Sequence, residues 1–161
     1  MTPSSTPPAS LPVSSPAPAQ VFVGIDIGKD HLDVATLDRH APAPLLRRFA
    51  NTPAGIALLL EQLQHKTVVR IVVEASGPYD RAIVAACHQA QLPIARIQPH
   101  QAKAYAKVTN QKAKTDALDA ALLARYAQNQ EPRLTPPQSA VQVELDALVA
   151  RRRQVVDLQS Q

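Results

Sequence analysis

The sequence predicts an α/β fold in which a mixed five-stranded sheet carries helices on both faces. Near its start, the alternating runs VFVGIDI and HLDVATLD are separated by a short turn, which indicates a β-hairpin. The continuous β-branched run VVRIVVEA indicates a strand covered on both faces. Strand and helix patterns alternate around and after that run, which favours a mixed sheet between two helical layers.

The individual elements follow in chain order. We expect strands at residues 21–27, 31–38, 45–51, 68–75 and 93–97, with residues 68–75 as the central strand. We expect helices at residues 53–65, 78–90, 100–106 and 116–127, the first capped by Thr52 and the last by Thr115. A further helix follows Ser139, which can form a capping box with Gln142. Its apolar residues near heptad spacing predict the start of a coiled coil: Val141, Leu145, Leu148 and Val155.

Composition divides the chain into four segments. Residues 1–20 contain six prolines, five serines and no charged residue, so we expect a disordered tail. Residues 21–127 should form one globular domain, residues 128–138 a polar linker, and residues 139–161 the start of the coiled-coil helix. Because that helix has no glycine or proline stop signal, we expect the chain to be a fragment of a larger protein.

Several classes of protein are excluded by composition. No apolar stretch approaches the ~20 residues that cross a bilayer, so we expect no membrane partner. The single Cys87 and the lack of a secretory signal predict a cytoplasmic protein. Between Arg81 and Thr115 there are six lysines or arginines and no acid, which favours phosphate contacts with nucleic acid, although a solvated basic face is the alternative.

Four carboxylates stand out as candidate catalytic and metal-binding residues. Asp26 interrupts an apolar strand, and Glu74 ends another, so a parallel pairing of the two strands can bring both acids to one edge. Asp116 and Asp119 are three positions apart and therefore project from one helix face. Such a set suits Mg²⁺ or Mn²⁺ and phosphoryl transfer. Taken singly, Asp116 also fits a helix-start carboxylate and Asp119 a solvated residue.

Other polar residues are assigned less specific roles. The candidate nucleic-acid-binding residues are Lys29, Arg96, Lys103, Lys107, Lys112 and Lys114. Lys29 fits a phosphate contact and a turn position equally well. We interpret Asp30, Asp33 and Asp38 as solvent-facing residues rather than ligands, and Cys87 as an ordinary packing residue.

Four blocks of this sequence resemble a known family. The blocks GIDIGKDHLDV, VVEASGPYD, QPHQAKAYAK and AKTDALDA are similar, in order and spacing, to the N-terminal domain of DEDD transposases from bridge-RNA-guided insertion sequences and of related Piv-type DNA invertases. The resemblance covers residues 21–127 and extends into the helix after Ser139. It implies an RNase H-like (RuvC-like) fold, and it places the acidic tetrad of the family on Asp26, Glu74, Asp116 and Asp119.

The resemblance also implies partners and a second domain. In the family, a coiled coil leads to a domain that bears a serine nucleophile, and no serine of this chain can be assigned that role. We therefore expect residues 1–161 to lack complete recombination activity. DNA, a guide RNA that contacts the basic segment, and a second copy of the chain through the coiled coil are the expected partners.

Three other functions are alternatives to DNA transposition. A sugar kinase or actin-like ATPase would need a second glycine-rich phosphate loop, and the chain has only four glycines. A Holliday-junction resolvase or RNA-processing nuclease of the same fold is closer, but the trailing helix argues against it. A nucleic-acid docking module with vestigial acids is the non-enzymatic alternative, and a metal titration would distinguish it.

Overall fold

The computed structural model describes residues 19–110 and 115–159. The predicted tail as far as residue 18, together with Lys112 and Lys114, lies outside the described residues. The strands are β1 (Gln20–Ile27), β2 (His31–Asp38), β3 (Leu45–Ala50), β4 (Thr67–Glu74) and β5 (Ile94–Ile97). The helices are α1 (Pro53–Gln64), α2 (Arg81–Gln89), α3 (Pro99–Val108), α4 (Asp116–Asn129) and α5 (Ala140–Gln159).

The strands form one mixed sheet in the order β3-β2-β1-β4-β5. β1, β2 and β3 are antiparallel neighbours, whereas β4 pairs in parallel with both β1 and β5. The predicted mixed five-stranded sheet is therefore confirmed. The prediction that residues 68–75 form the central strand is wrong, because β1 lies between the hairpin partner β2 and the parallel partner β4.

Each face of the sheet is covered by a pair of helices. α1 and α2 pack on one face, where their apolar stripes meet the odd-numbered residues of β1; this layer includes Val21, Val23, Ile25, Leu59, Leu63, Ile83 and Cys87. α3 and α4 pack on the other face, against Phe22, Val72, Ala95, Ile97, Ala35 and Leu37. The alternation of strand side chains thus places Asp26 on the α4 face, in line with Phe22 and Gly24.

The contact between α4 and β1 is unusually close at Gly24. A Cβ atom at this position would lie 2.2 Å from both the Ala120 carbonyl oxygen and the Ala124 amide nitrogen. These are backbone atoms, so a side chain could not be accommodated by a rotamer change. The absence of a side chain at Gly24 therefore lets the backbone of α4 rest directly on the central strand.

Two elements differ from the sequence prediction. α2 begins at Arg81 rather than at Pro78, because residues 77–80 form a turn. The spacing of Leu118, Leu122, Leu123 and Tyr126 predicts one apolar face of α4. Leu118 is nevertheless 36% exposed, because α4 turns its small residues Ala120, Ala124 and Ala127 towards the sheet.

The final helix, α5, begins as predicted. Ser139 Oγ accepts a hydrogen bond from the Gln142 amide at 3.2 Å, and Gln142 Oε1 accepts from the Ser139 amide at 3.3 Å, so the capping box is confirmed. The four apolar residues at near-heptad positions are exposed, and the coiled coil stays a prediction. Within residues 19–110 and 115–159, no helix is both long and apolar enough to cross a membrane.

We predict that Gly24→Ala destabilises the fold by about 3 kcal/mol, because the new methyl group would push α4 off the sheet. Gly77→Ala is the comparison: Gly77 has φ of +69° and open space around it, so alanine there should cost only about 1 kcal/mol of backbone strain. Chemical denaturation of both variants measures the difference. Equal losses would contradict the close contact.

Candidate active site

The strand register assembles a row of charged residues across the α4 face of the sheet, here called the acidic row: Arg48, Asp33, Asp26 and Glu74. Asp26 of β1 pairs with Asp33 of β2, and Asp33 pairs with Arg48 of β3. On the other side, the last paired residues of β1 and β4 are Ile25 and Val73, and the next residue of β4 is Glu74. Four neighbouring strands therefore contribute one charged residue each at the same level of the sheet.

α4 brings the remaining two candidate acids to this row. Asp116 and Asp119 lie in its first turn, and the hydroxyl of the N-cap Thr115 accepts a hydrogen bond from the Leu118 amide at 3.3 Å. The N-terminal end of a helix carries partial positive charge, which favours carboxylates there. The close packing of α4 on β1 then sets this first turn beside the end of β1.

The pKa of Asp26 reflects its burial and the number of acids around it. Burial raises the pKa of Asp26 first, and the charges of Asp119, Asp116, Glu74 and Asp33 raise it further, from an ordinary value of 3.8 to about 6. The structure thus brings together all four acids singled out in the sequence, and it adds Asp33 as a fifth.

The interpretation of Asp33 as a solvent-facing residue is wrong. Asp33 is 6% exposed, and its two carboxylate oxygens accept hydrogen bonds from Arg48 Nε and Nη2, each at 2.9 Å. The hydrogen bond and charge of Asp33 raise the pKa of Arg48 above its ordinary value. The physical reason for the error is that β2 lies between β1 and β3, and that Arg48 and His31 lie against the Asp33 carboxylate and cover it.

His31 joins Asp33 and Asp116. Its Nε2 lies 3.4 Å from Asp33 Oδ2 and 3.6 Å from Asp116 Oδ2. Ligand atoms of these three residues all lie within 4.8 Å of one another, a spacing that could hold a metal ion. Because Arg48 already engages both oxygens of Asp33, a cation bound by this trio would have to share Asp33 with the guanidinium group.

Two buried or half-buried polar residues hold the loops around the site. The Asn51 side chain donates to the carbonyl oxygens of Gly28 at 2.9 Å and Tyr79 at 3.2 Å, and so connects the β1–β2 turn to the loop after Glu74. Asp80, which is 2% exposed, accepts from the Ser76 amide at 3.1 Å and from Arg96 Nε at 2.7 Å. These bonds fix the backbone that follows Glu74.

The predicted nucleic-acid-binding residues are dispersed around this site. Lys29 is exposed in the β1–β2 turn, whereas the guanidinium of Arg96 is paired with Asp80. Lys103 and Lys107 are exposed one turn apart on α3. α3 is attached to α4 by Tyr105, whose ring packs edge-on against Tyr126 with centroids 5.2 Å apart.

Sequence reasoning missed His31, Arg48, Asn51 and Asp80, and misassigned Asp33. A signal for Asp33 was present, since it shares a strand face with the apolar residues Ala35 and Leu37. Arg48 carried no such signal, because its position opposite Asp33 depends on the register between β2 and β3. Asp80 and Asn51 act through loop contacts that have no periodic pattern.

The chain is similar to a family of transposases and to two pilin gene-inverting proteins. Residues 23–161 match the family model DEDD_Tnp_IS110, whose description is transposase. The chain is 29% identical over 140 residues to the pilin gene-inverting protein of Moraxella lacunata, an alignment covering 83% of this chain and 42% of that protein, and the same figures hold for the protein of Moraxella bovis. The chain therefore spans less than half the length of these curated relatives.

Among solved structures, the Fowlpox virus resolvase in complex with its Holliday junction DNA matches with a TM-score of 0.41 and 12% identity, over 67% of this chain and 98% of that chain.

We predict that Asp26→Asn stabilises the metal-free protein near neutral pH. The pKa of Asp26 is higher in the folded chain than in the unfolded chain, so stability falls as pH rises through the window from 3.8 to about 6 and stays lowered above it. The variant should therefore unfold at higher temperature than the wild type at about pH 7.5, and at a similar temperature at about pH 4. Thermal unfolding in the presence of a chelator measures both. A wild type that is the more stable of the two at about pH 7.5 would contradict the crowding of charge at Asp26.

Proposed function

The chain belongs to the transposase family DEDD_Tnp_IS110, and we propose on this basis that residues 21–127 form the metal-dependent catalytic domain of a DNA transposase or recombinase. Asp26, Glu74, Asp116 and Asp119 are its proposed catalytic and metal-binding residues. The observation that carries this proposal is that Asp26, Glu74 and the first turn of α4 meet at one end of the sheet, where burial first and then four neighbouring carboxylates raise the pKa of Asp26. Excess negative charge of this kind is what a bound cation would neutralise.

The donor set fits Mg²⁺ or Mn²⁺. All four proposed ligands are carboxylates, and hard oxygen donors favour these ions over zinc. Two such ions would activate an attacking hydroxyl group and stabilise the leaving oxygen of a phosphodiester. In this proposal the residues of the chain hold the ions from three sides: Asp26 from the centre of the sheet, Glu74 from the adjacent strand, and Asp116 and Asp119 from α4.

The basic residues would hold the nucleic-acid backbone beside these acids. Lys103 and Lys107 are exposed on α3, which packs on the same face of the sheet as α4, and Lys29 is exposed at the turn after β1. Lysines neutralise phosphates without reading base sequence. We therefore propose DNA as the substrate, with Lys112 and Lys114 completing the contact, and a guide RNA as the source of target choice.

Complete recombination would need parts beyond the catalytic domain. We propose that a serine-bearing C-terminal domain supplies the nucleophile, and that α5 pairs with a second copy as a coiled coil. The support for pairing is that Val141, Leu145 and Leu148 are all exposed on α5. A cytoplasmic location would give such an enzyme access to DNA.

We predict that Mg²⁺ or Mn²⁺ raises the Tm of the chain, because binding to the folded state relieves repulsion among the acids. Asp26→Asn and Asp116→Asn should abolish this rise, each by removing one ligand. Thermal unfolding at increasing metal concentration, at a pH above that of Asp26 ionisation, measures the response.

Glu61→Gln is the matched control for this experiment. Glu61 is an exposed carboxylate on α1, on the opposite face of the sheet, so its removal should leave the metal response intact. Asp33→Asn is unsuitable as a control because Asp33 lies within the acidic row. If Asp26→Asn and Glu61→Gln respond to metal alike, general screening explains the effect and the catalytic assignment fails. A wild type without any response would favour a docking module instead.

We also predict weak, strongly salt-dependent binding of the chain to duplex DNA. Each lost phosphate contact should reduce the slope of log K against log salt by ~0.9, so Lys103→Ala together with Lys107→Ala should reduce it by up to about two. Lys66→Ala, an exposed lysine that follows α1, is the control and should leave the slope unchanged. Fluorescence anisotropy over a range of salt concentrations measures the slopes, and an unchanged slope in the double variant would remove α3 from the proposed DNA contact.

A further inference from the structure

Arg48 lies at the edge of the acidic row and contacts two carboxylates at once. Its Nε and Nη2 each donate to one oxygen of Asp33 at 2.9 Å, and the same Nη2 lies 3.6 Å from Asp116 Oδ2. Arg48 belongs to β3, Asp33 to β2 and Asp116 to the first turn of α4. One guanidinium group therefore connects three elements that meet at the site.

The charge of Arg48 matters because Asp33 is enclosed. The Asp33 side chain is 9% exposed and its cross-strand neighbour on the other side is Asp26. A buried carboxylate beside other carboxylates is unfavourable without an opposite charge. The Arg48 side chain is 58% exposed, so its guanidinium keeps much of its hydration while it pairs with Asp33.

We propose that Arg48 is a positioning residue that serves as the built-in counter-cation of the acidic site. It holds Asp33 and Asp116 together while no divalent ion is bound, and it shares their negative charge with the ion once one binds. This inference rests on the proposed metal site. His31 adds a second positive charge beside the same two oxygens only when it is protonated.

A thermodynamic coupling follows from this role. The guanidinium group and the metal ion are attracted to the same carboxylates. Each therefore stabilises the folded chain less when the other is present. A plain structural link between β2 and β3 would behave differently, because its loss would lower stability by the same amount with and without metal. The coupling therefore separates the two roles.

The test compares Arg48→Gln with the wild-type 161-residue chain, in chelator and in saturating Mg²⁺. We expect the variant to unfold about 3–6 °C lower in chelator, and Mg²⁺ to remove most of that difference. Arg48→Lys keeps the charge but loses the two-point contact with Asp33, so it should recover part of the Tm loss in chelator and retain the dependence on Mg²⁺. Arg47→Gln is the matched control: Arg47 is the adjacent residue of β3, lies on the opposite face beside Leu59 and Lys66, and should show no metal-dependent difference.

Calorimetric titration with Mn²⁺ gives a second measurement. Arg48→Gln should bind Mn²⁺ roughly 3- to 10-fold more tightly than the wild type, because a competing positive charge has been removed. An equal Tm loss in chelator and in Mg²⁺, or weaker Mn²⁺ binding by the variant, would overturn the counter-cation role while leaving the metal site in place. A wild-type chain that shows no metal response would instead overturn the proposed metal site, and with it the role of Arg48.

Discussion

The close contact between α4 and β1 is the constraint on which the rest of the site depends. At Gly24 the helix backbone rests on the strand with no room for a side chain. This contact sets the first turn of α4 beside the end of β1, so that Asp116 and Asp119 approach Asp26. The acids gain nothing by meeting one another in the absence of a cation, since their charges repel. Packing of small residues, rather than attraction between the functional groups, therefore determines where they meet.

The fold offsets this repulsion locally and incompletely. The N-terminal end of α4 favours the two acids in its first turn, and Arg48 neutralises Asp33 through two hydrogen bonds. Part of the repulsion remains, because burial first and then the charges of four neighbouring carboxylates raise the pKa of Asp26 to about 6. A fold that keeps such an excess of negative charge at one end of its central strand is less stable than it could be. Functional sites often lower the folding stability of the free protein in this way, and binding of a ligand raises the stability again.

Polar residues outside both the hydrophobic core and the acidic row hold the neighbouring loops in place. Asn51 joins the β1–β2 turn to the loop after β4, and Asp80 joins that loop to β5 through Arg96. Because Asp80 is buried, its charge requires Arg96 as a partner. This pairing gives Arg96 a structural task, whereas the sequence suggested only a role in binding nucleic acid. Positioning of Glu74 is thereby linked to the far edge of the sheet.

The sequence by itself determined the elements and the identity of the four candidate acids. Alternation in β1 and β2, the β-branched run of β4 and the caps at Thr52 and Thr115 are local signals, and local sterics and hydrogen bonds decide them. An acid within an apolar strand, as at Asp26, is also visible locally. Tertiary structure decided that β1 is central, that Asp33 is buried and that Arg48 faces it, because strand order and register are set by contacts between residues far apart in the chain. No local pattern encodes those contacts, and for this reason the counter-charge of the site became visible only in the folded chain.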